Sequence, residues 1–349
     1  GATIPSAKIL HGVVIEGRWT GETVDHWNDD ETYFVYEISI GPFMELAKRH
    51  RDSAVFQAMS PQDIILEIAN KHGSEVGTAR ALGGPGIEPQ FEHIVQYRES
   101  DFDFVRRLAE RYGINIAYRM SEGSHEMVLW GTNYDAGPST TRFDLSQGGH
   151  ADITHVTRRK SFRVSMVEKS DYDQFGPDTD QREFVDGTPS YGDRRWEEFE
   201  YPGGYSDGKP RANIARRRMD AHKSESEMLT ANCETIDFEI GQRIELHDNV
   251  SENVNGTYVV TAHSLTFSNV GDGAAHGSRI SSRISLLPID NELAPARTRP
   301  EPQNPGIVTA VVVEESEHDP EKLGRLKVHY PFVREADSFW CRVAQSWAG

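Results

Sequence analysis

Histidines and carboxylates are weighed first, because they carry most acid–base and metal chemistry near neutral pH. His150 and His155 are five residues apart. That spacing misses a shared helix face and falls on opposite faces of a strand, so no metal-ligand pair is expected there. His125 with Glu126, and His318 with Asp319, put acid and base types side by side. Adjacent side chains do not face one another, and both pairs lie in turn-like sequence, so they read as solvated. Paired carboxylates are abundant simply because the chain holds 55 acidic against 37 basic residues, and they single out no glycosidase site. Cys233 and Cys341 are far apart in unlike contexts, which suggests neither a disulfide framework nor a zinc pair. No G-x-S-x-G elbow, P-loop, G-x-G-x-x-G after a strand or H-E-x-x-H occurs. Gly83, Gly84 and Gly86 surround Pro85 and precede Glu88 rather than opening a helix, so they read as a loop and not a phosphate cradle. Asn255-Gly256-Thr257 matches a glycosylation sequon but reads better as a tight hairpin turn between 244–246 and 258–260. The residues therefore predict no catalytic, cofactor-binding or metal-binding site, and no enzyme.

The elements around these residues are mostly strands. In residues 32–40, Phe34, Tyr36, Ile38 and Ile40 alternate with Tyr33, Val35, Glu37 and Ser39, the period of a sheet that buries one face more than the other. Two helices follow. Ser60 caps, Pro61 suits the first turn, Asp63 meets the positive helix end, Ile64, Ile65 and Ile68 form a stripe, and Gly73 stops the first helix. In the second, Ser100 caps, Asp103 follows three residues on, Phe102, Val105, Ala109 and Tyr112 recur at helical spacing, and Gly113 ends the pattern. Residues 114–118 and 127–130 then flank a turn around Gly123 as a hairpin.

Beyond residue 150 strands dominate again: Phe162, Val164 and Met166 alternate, and 236–246, 258–267 and 280–287 read as strands of a barrel. They are interrupted by residues 171–208, rich in Asp, Gly, Pro and aromatics, and by a polar helix from near Pro210 towards Met228. Arg216, Arg217 and Arg218 on that helix read as a solvated face or inter-subunit ion pairs rather than a basic binding patch. Residues 291–305 carry four prolines and little to bury, the composition of a linker. Residues 307–313 and 325–330 read as further strands, and 340–345 begins another.

The 349 residues suffice for two or three domains. A net charge of −18 repels phosphate backbones and anionic headgroups, so nucleic acid and membrane surfaces are disfavoured partners. The opening residues lack a basic region followed by an apolar core, and no apolar run is long enough to span a bilayer, so a chain without signal peptide, soluble and cytoplasmic when made, is expected. Composition and spacing alone yield a multidomain, β-rich protein.

Three stretches say more. VQYRESDFDFVRRLAERYGI (95–114), which contains Gln96, Tyr97, Arg98, Glu99, Ser100, Asp101, Phe102, Asp103 and Phe104, closely resembles a segment of VgrG proteins, the spikes of type VI secretion systems, which are related to contractile-phage baseplate hub and tail-spike proteins. Tyr201, Pro202 and Gly203 resemble that family's Y-P-G-x-Y segment. Gly324, Arg325 and Lys327, followed by Trp340, Arg342, Val343 and Trp347, look like strands of the family's OB-fold, with Leu326 and Cys341 where valine is usual. The resemblance implies a mainly β fold with an α+β insert: a remnant of a first hub β-barrel in 1–50, the insert in 51–150, a second barrel with the polar helix in 151–290, the linker in 291–305 and a partial OB-fold in 306–349. The family's opening strands and trimeric needle are expected to lie outside this sequence.

The same resemblance implies a homotrimer, in which two similar barrels per chain meet a hexameric inner tube, together with baseplate components, and with a tip protein and effectors carried by the needle. It implies a spike that is made in the cytoplasm, assembled on the apparatus and ejected, and that needs no cofactor. Phage and extracellular injection systems share this hub and remain alternatives. So does a spike bearing an enzymatic effector domain beyond residue 349. A carbohydrate-binding module is suggested only by Trp19, Trp27 and Trp196.

Overall fold

A computed structural model describes residues 9–25, 31–73, 76–82, 91–131, 141–145, 153–172, 182–187, 195–204, 213–233, 238–248, 252–270, 277–303, 306–313, 319, 322, 324–334 and 338–344. Strands β1 (Val13–Asp25) and β2 (Glu31–Gly41) pair antiparallel with two register shifts. The alternation in β2 does produce a strand, but Phe34, Tyr36, Ile38 and Ile40 are all more than half exposed, so among the described residues this apolar face is not buried.

A short 3₁₀ helix (Phe43–Arg49) leads into the insert. Its elements are β3 (Arg51–Met59), α1 (Pro61–Gly73), β4 (Gly77–Ala81), β5 (Phe91–Ser100), α2 (Asp101–Tyr112), β6 (Asn115–Ser121) and β7 (Ser124–Trp130). β3 pairs with β5, and β7 lies between β4 and β6. The helix stripes behave as their spacing predicts. Ile64, Ile65 and Ile68 of α1 meet Phe104, Val105, Leu108, Ala109 and Tyr112 of α2 around Phe43 and Met44 in one buried core. Each large side chain fully buried there contributes about 1.5–3 kcal/mol by leaving water. The β6–β7 hairpin matches expectation, with Gly123 at positive φ in its turn.

The second sheet has six strands in the order β8 (Thr141–Leu145), β14 (Arg243–Asp248), β15 (Gly256–Val270), β16 (Gly277–Pro288), β13 (Glu227–Cys233) and β9 (Ile153–Lys160). Its edge strands β8 and β9 contact one another, so the sheet curls towards a barrel around Ile153, Leu229, Ile244, Leu246, Val260, Ile284 and Leu286. β8 joins this sheet from before residue 150, so the second sheet begins earlier in sequence than the boundary expected. A small sheet of β11 (Arg182–Asp186), β10 (Met166–Ser170) and β12 (Glu197–Glu200) packs on α3 (Ile214–Ser226) through Val167, Ala215 and Met219.

Several expectations need correction. The polar helix stops at Ser226, and Met228 belongs to β13, whose alternating burial, not its polarity, decides its state. The alternation of Phe162, Val164 and Met166 does not make one strand: Ser161 bonds to Ser226 instead, Phe162 is exposed, and β10 starts only at Met166. Asn255-Gly256 is not a two-residue turn. Leu246 pairs with Gly256, so the connection spans the residues between them and includes a 3₁₀ turn at Glu252–Val254. The final sheet is β17 (Val311–Val312), β18 (Leu326–His329) and β19 (Phe339–Cys341).

Candidate functional site

The longest family-like motif folds into the second half of β5 and the whole of α2. Ser100 Oγ accepts the Asp103 N–H at 3.0 Å and donates to Asp103 Oδ2 at 2.7 Å, a local cap that fixes where strand becomes helix. At the other end Gly113 adopts φ +65°, where an added Cβ would press on the Arg217 side chain of α3. With its apolar stripe in the core, α2 turns Arg107, Glu110 and Arg111 the other way. Arg107 and Glu110 are buried too, and Arg111 is half-buried.

What buries them is the stretch expected to be a free linker. Residues 291–303 lie along α2 as a strap. Thr298 and Arg299 donate their backbone N–H groups to Glu110 Oε2 at 2.7 and 2.9 Å, while Thr298 Oγ1 and Arg299 Nη1 reach Oε1 at 3.0 and 2.9 Å. Arg107 holds Glu99 at 2.6 Å and Glu301 at 2.9 Å and donates to the Val95 carbonyl at 2.9 Å. Arg111 pairs with the same Glu301, Asn115 donates to the Leu293 carbonyl at 2.9 Å, and Ala294 is buried. Arg299 also meets Asp103 at 3.2 Å and covers the Phe102 ring. Proline-rich composition predicted an untethered segment because it offers little apolar surface; the strap is held by polar groups instead.

The second motif joins the same cluster. Arg111 reaches the Gly203 carbonyl at 3.5 Å, and Gly204, at φ +84°, lets the backbone approach that guanidinium closely. The Tyr201–Pro202 peptide is cis, and Tyr201 is exposed. Just before it, Glu200 binds Lys169 and Arg297 of the strap. Burial pushes the Glu200 carboxyl up, but its hydrogen bonds to Arg297 and Lys169 overcome this and set its pKa at about 2. Burial likewise opposes ionisation of Glu301, which Arg111 and Arg107 still hold below the usual carboxylate range. Glu198 is depressed in the same manner, by His222 and Arg218 against its burial. Arg218 pairs bidentately with Glu198, and Arg216 with Asp220, so these arginines are engaged within the chain, while Arg217 is itself buried.

The third motif stands apart from this clamp. Arg325 holds Asp319 at 2.8 Å, and Arg325 and Lys327 lie over the Trp340 ring. Asp319 is therefore paired and buried, not solvated. Gly324 takes φ +68°, Arg342 and Val343 are exposed, and Trp347 lies outside the described residues. The Tyr97 ring lies 5.5 Å from that of Phe332, and a cavity of about 690 Å³ is lined by Val95 and Tyr97 of the first motif and by Arg325 and Trp340 of the third. Arg98, at φ +51°, bonds through its N–H to Ser53.

The histidines also depart from their expected places. His125 is buried in β7; its Nε2 accepts the Phe43 N–H at 2.8 Å, and its Nδ1 meets His11 at 2.8 Å. Burial and His11 lower its pKa. Glu126 pairs with Arg80. His155 lies in β9 at φ +51°, while His150, His318, Trp27 and the Gly83–Gly86 loop lie outside the described residues. A group that spacing did not reveal is His50, His72 and Asp101, whose ligand atoms lie within 4.8 Å of one another. Residues so far apart in sequence leave no local signature.

The chain is thus mainly β, and the first two of its three family-like motifs meet in one ion-paired clamp. Residues 5–271 match the phage tail baseplate hub (GPD) family model, and the chain belongs to that family. It is 27% identical to the actin cross-linking toxin VgrG1 of Vibrio cholerae, over 90% of this chain and 30% of that protein. With the type VI secretion system spike protein VgrG1c of Pseudomonas aeruginosa it shares 25% identity over 99% of this chain and 48% of that protein. It thus spans less than half the length of these relatives, and the resemblance to VgrG spikes read from its motifs is borne out along nearly all of it. In fold it is similar to the E. coli c3393 protein, a type VI secretion component with structural similarity to phage T4 tail proteins gp27 and gp5 (TM-score 0.64, 17% identity, 95% of this chain and 76% of that one).

Proposed function

We propose that this chain is a non-enzymatic hub subunit of a contractile injection spike that works as a homotrimer capping a hexameric inner tube. The observation that carries the reading is the β1–β2 hairpin, where Val14, Trp19, Phe34, Tyr36, Ile38 and Ile40 are all more than half exposed. An apolar surface of that kind, on a two-stranded ribbon that is marginal by itself, calls for a neighbour. Three copies each presenting two related sheets offer six similar edges, which reconciles a threefold body with a sixfold ring. The last sheet, read as the start of an OB-fold, exposes Val311, Val312 and Leu326 and takes part in the same assembly. Baseplate contacts, a needle carrying a tip protein and effectors, and ejection from the cell follow from the VgrG resemblance. Among the described residues no helix is long and apolar enough to cross a membrane.

Native mass spectrometry should find three copies of the 39.3 kDa chain, dissociating on dilution by mass action. A monomer that persists at high concentration, or a twofold dimer, overturns the reading.

A further inference from the structure

The insert contains a group of side chains that neither its core nor the clamp uses. His50 caps the C-terminal end of the 3₁₀ helix, His72 sits in the last turn of α1, and Asp101 opens α2. Asp101 Oδ2 lies 2.7 Å from His72 Nε2 and 2.9 Å from His50 Nδ1. Three element ends thus converge on one carboxylate oxygen.

The convergence is built rather than incidental. Asp101 is held from behind, because its N–H donates to the His50 carbonyl at 2.9 Å and Gln96 Nε2 donates to its Oδ1 at 2.8 Å. Oδ2 is left facing the two imidazoles. A carboxylate with one oxygen tied back by an amide and the other offered to incoming groups is the usual outer-shell support of a metal ligand. His50 Nδ1 is buried, and although it is close to Oδ2 it makes no hydrogen bond of acceptable alignment. The two rings are edge to face with centroids 5.7 Å apart, and the elements bearing them are fixed by the insert core. Access is open: the His50 side chain is 35% exposed beside a cavity of about 460 Å³, which Asp52, Glu67, Lys71 and Arg334 also line. Charges of both signs surround the mouth, and Arg334 is paired with Asp52.

We propose that His50, His72 and Asp101 form a three-ligand site for a first-row divalent transition-metal ion of the zinc class. Two imidazole nitrogens and one carboxylate oxygen suit zinc or cobalt(II), whereas calcium and magnesium require oxygen-rich shells. With bonds of about 2.0–2.2 Å, tetrahedral ligands sit roughly 3.3 Å apart. The two nitrogens would each part from Asp101 Oδ2 by roughly half an ångström to reach that spacing, and all three ligand atoms already lie within 4.8 Å of one another. Gln96 is a positioning residue in this scheme. The ion would tie the 3₁₀ helix, α1 and α2 together at one point, stabilising the insert whatever the oligomeric state. Metal binding would require both imidazoles in their neutral form.

The test uses the tag-free full chain, stripped with chelator and titrated with zinc chloride by calorimetry and with cobalt(II) chloride by visible absorption. One ion per chain is expected, with the d–d bands of tetrahedral cobalt displaced by zinc, and with a thermal midpoint that rises with zinc. His50→Ala and His72→Ala should each abolish saturable binding, and Gln96→Ala should weaken it about 10–100-fold. Should His72→Ala fail to fold, His50→Gln at the partly exposed position carries the test, with circular dichroism checking the fold. No saturable binding to the wild type, binding that survives in folded His50 variants, or magnesium bound as tightly as zinc would each overturn the proposal.

Discussion

The α/β insert and the β1–β2 hairpin are both written in regular apolar patterns, and they end in opposite conditions. In the insert, two stripes at helical spacing close on each other, and Phe104 and Leu108 leave water almost completely. In the hairpin, an equally regular period of two leaves Phe34 and Ile38 more than half exposed. A helix pair can satisfy its stripe locally, whereas a two-stranded ribbon has no second layer unless another element supplies it. On the proposed function, the insert is a unit of stability and the hairpin a unit of assembly.

The largest expected effect exploits that contrast. Phe104→Ala should cost about 3–5 kcal/mol of stability, measured by denaturant unfolding, because it opens a cavity in a closed core. Phe34→Ser should leave the unfolding free energy of the separated chain within about 0.5 kcal/mol and act instead on the mass of the assembly. Equal destabilisation of the separated chain by both would break the comparison.

How much of this was legible in sequence follows the range of the interactions. The caps at Ser60 and Ser100, the stops at Gly73 and Gly113 and the β6–β7 hairpin are local, and the described structure has each of them. The end of the polar helix, expected near Met228, falls at Ser226, because pairing of β13 with β9 and β16 takes Glu227 and Met228 into a strand. The strap was misread for a related reason. Proline and charge look alike in a tether and in a segment whose partners, such as Glu110, lie nearly two hundred residues away. His50, His72 and Asp101 were hidden because three different elements bring them together, whereas the motif carrying Gln96 to Phe104 was visible as a resemblance before its contacts were known.

A second prediction tests whether the strap belongs to the stable insert. Glu110→Ala removes the acceptor of two backbone N–H groups, the Thr298 hydroxyl and the Arg299 guanidinium in a buried place. Leaving buried donors without partners should cost about 1–3 kcal/mol. Limited proteolysis should then cut within 291–303, where the wild type resists; a wild type cut there first would return the strap to the status of a tether.

Acid should loosen the same contact gradually. Glu200, Glu301 and Asp103 all have folded pKa values below their ordinary ones, Glu200 at about 2. A depressed carboxylate stabilises the fold above its ordinary value and loses that contribution as pH falls through the folded value. Strap amides should therefore exchange hydrogen faster as pH drops from about 4.5 towards 2, after correction for intrinsic rates, while amides of the α1–α2 core lag behind. Simultaneous loss of both would mean that the clamp and the core are one cooperative unit.

The smallest effect is expected on the hairpin itself. Arg18 and Glu37 face each other across β1 and β2, with side chains 67% and 61% exposed. Water screens such a pair, and holding two long side chains in one geometry costs entropy, so its worth in the separated chain is about 0–1 kcal/mol. Arg107 and Glu99 make the same chemical pair with side chains 6% and 14% exposed, where little water is left to compete. Glu37→Gln should hence leave the thermal midpoint of the separated chain nearly unchanged, and added salt should not alter that result. In the assembled form the answer changes if a neighbouring copy covers the hairpin, because the lost charge would leave Arg18 buried without its partner. Glu37→Gln would then weaken association measurably in sedimentation while sparing the monomer. An equal, small effect in both states would mean that this end of the hairpin stays in water after assembly, and would restrict the interface to the apolar run from Phe34 to Ile40.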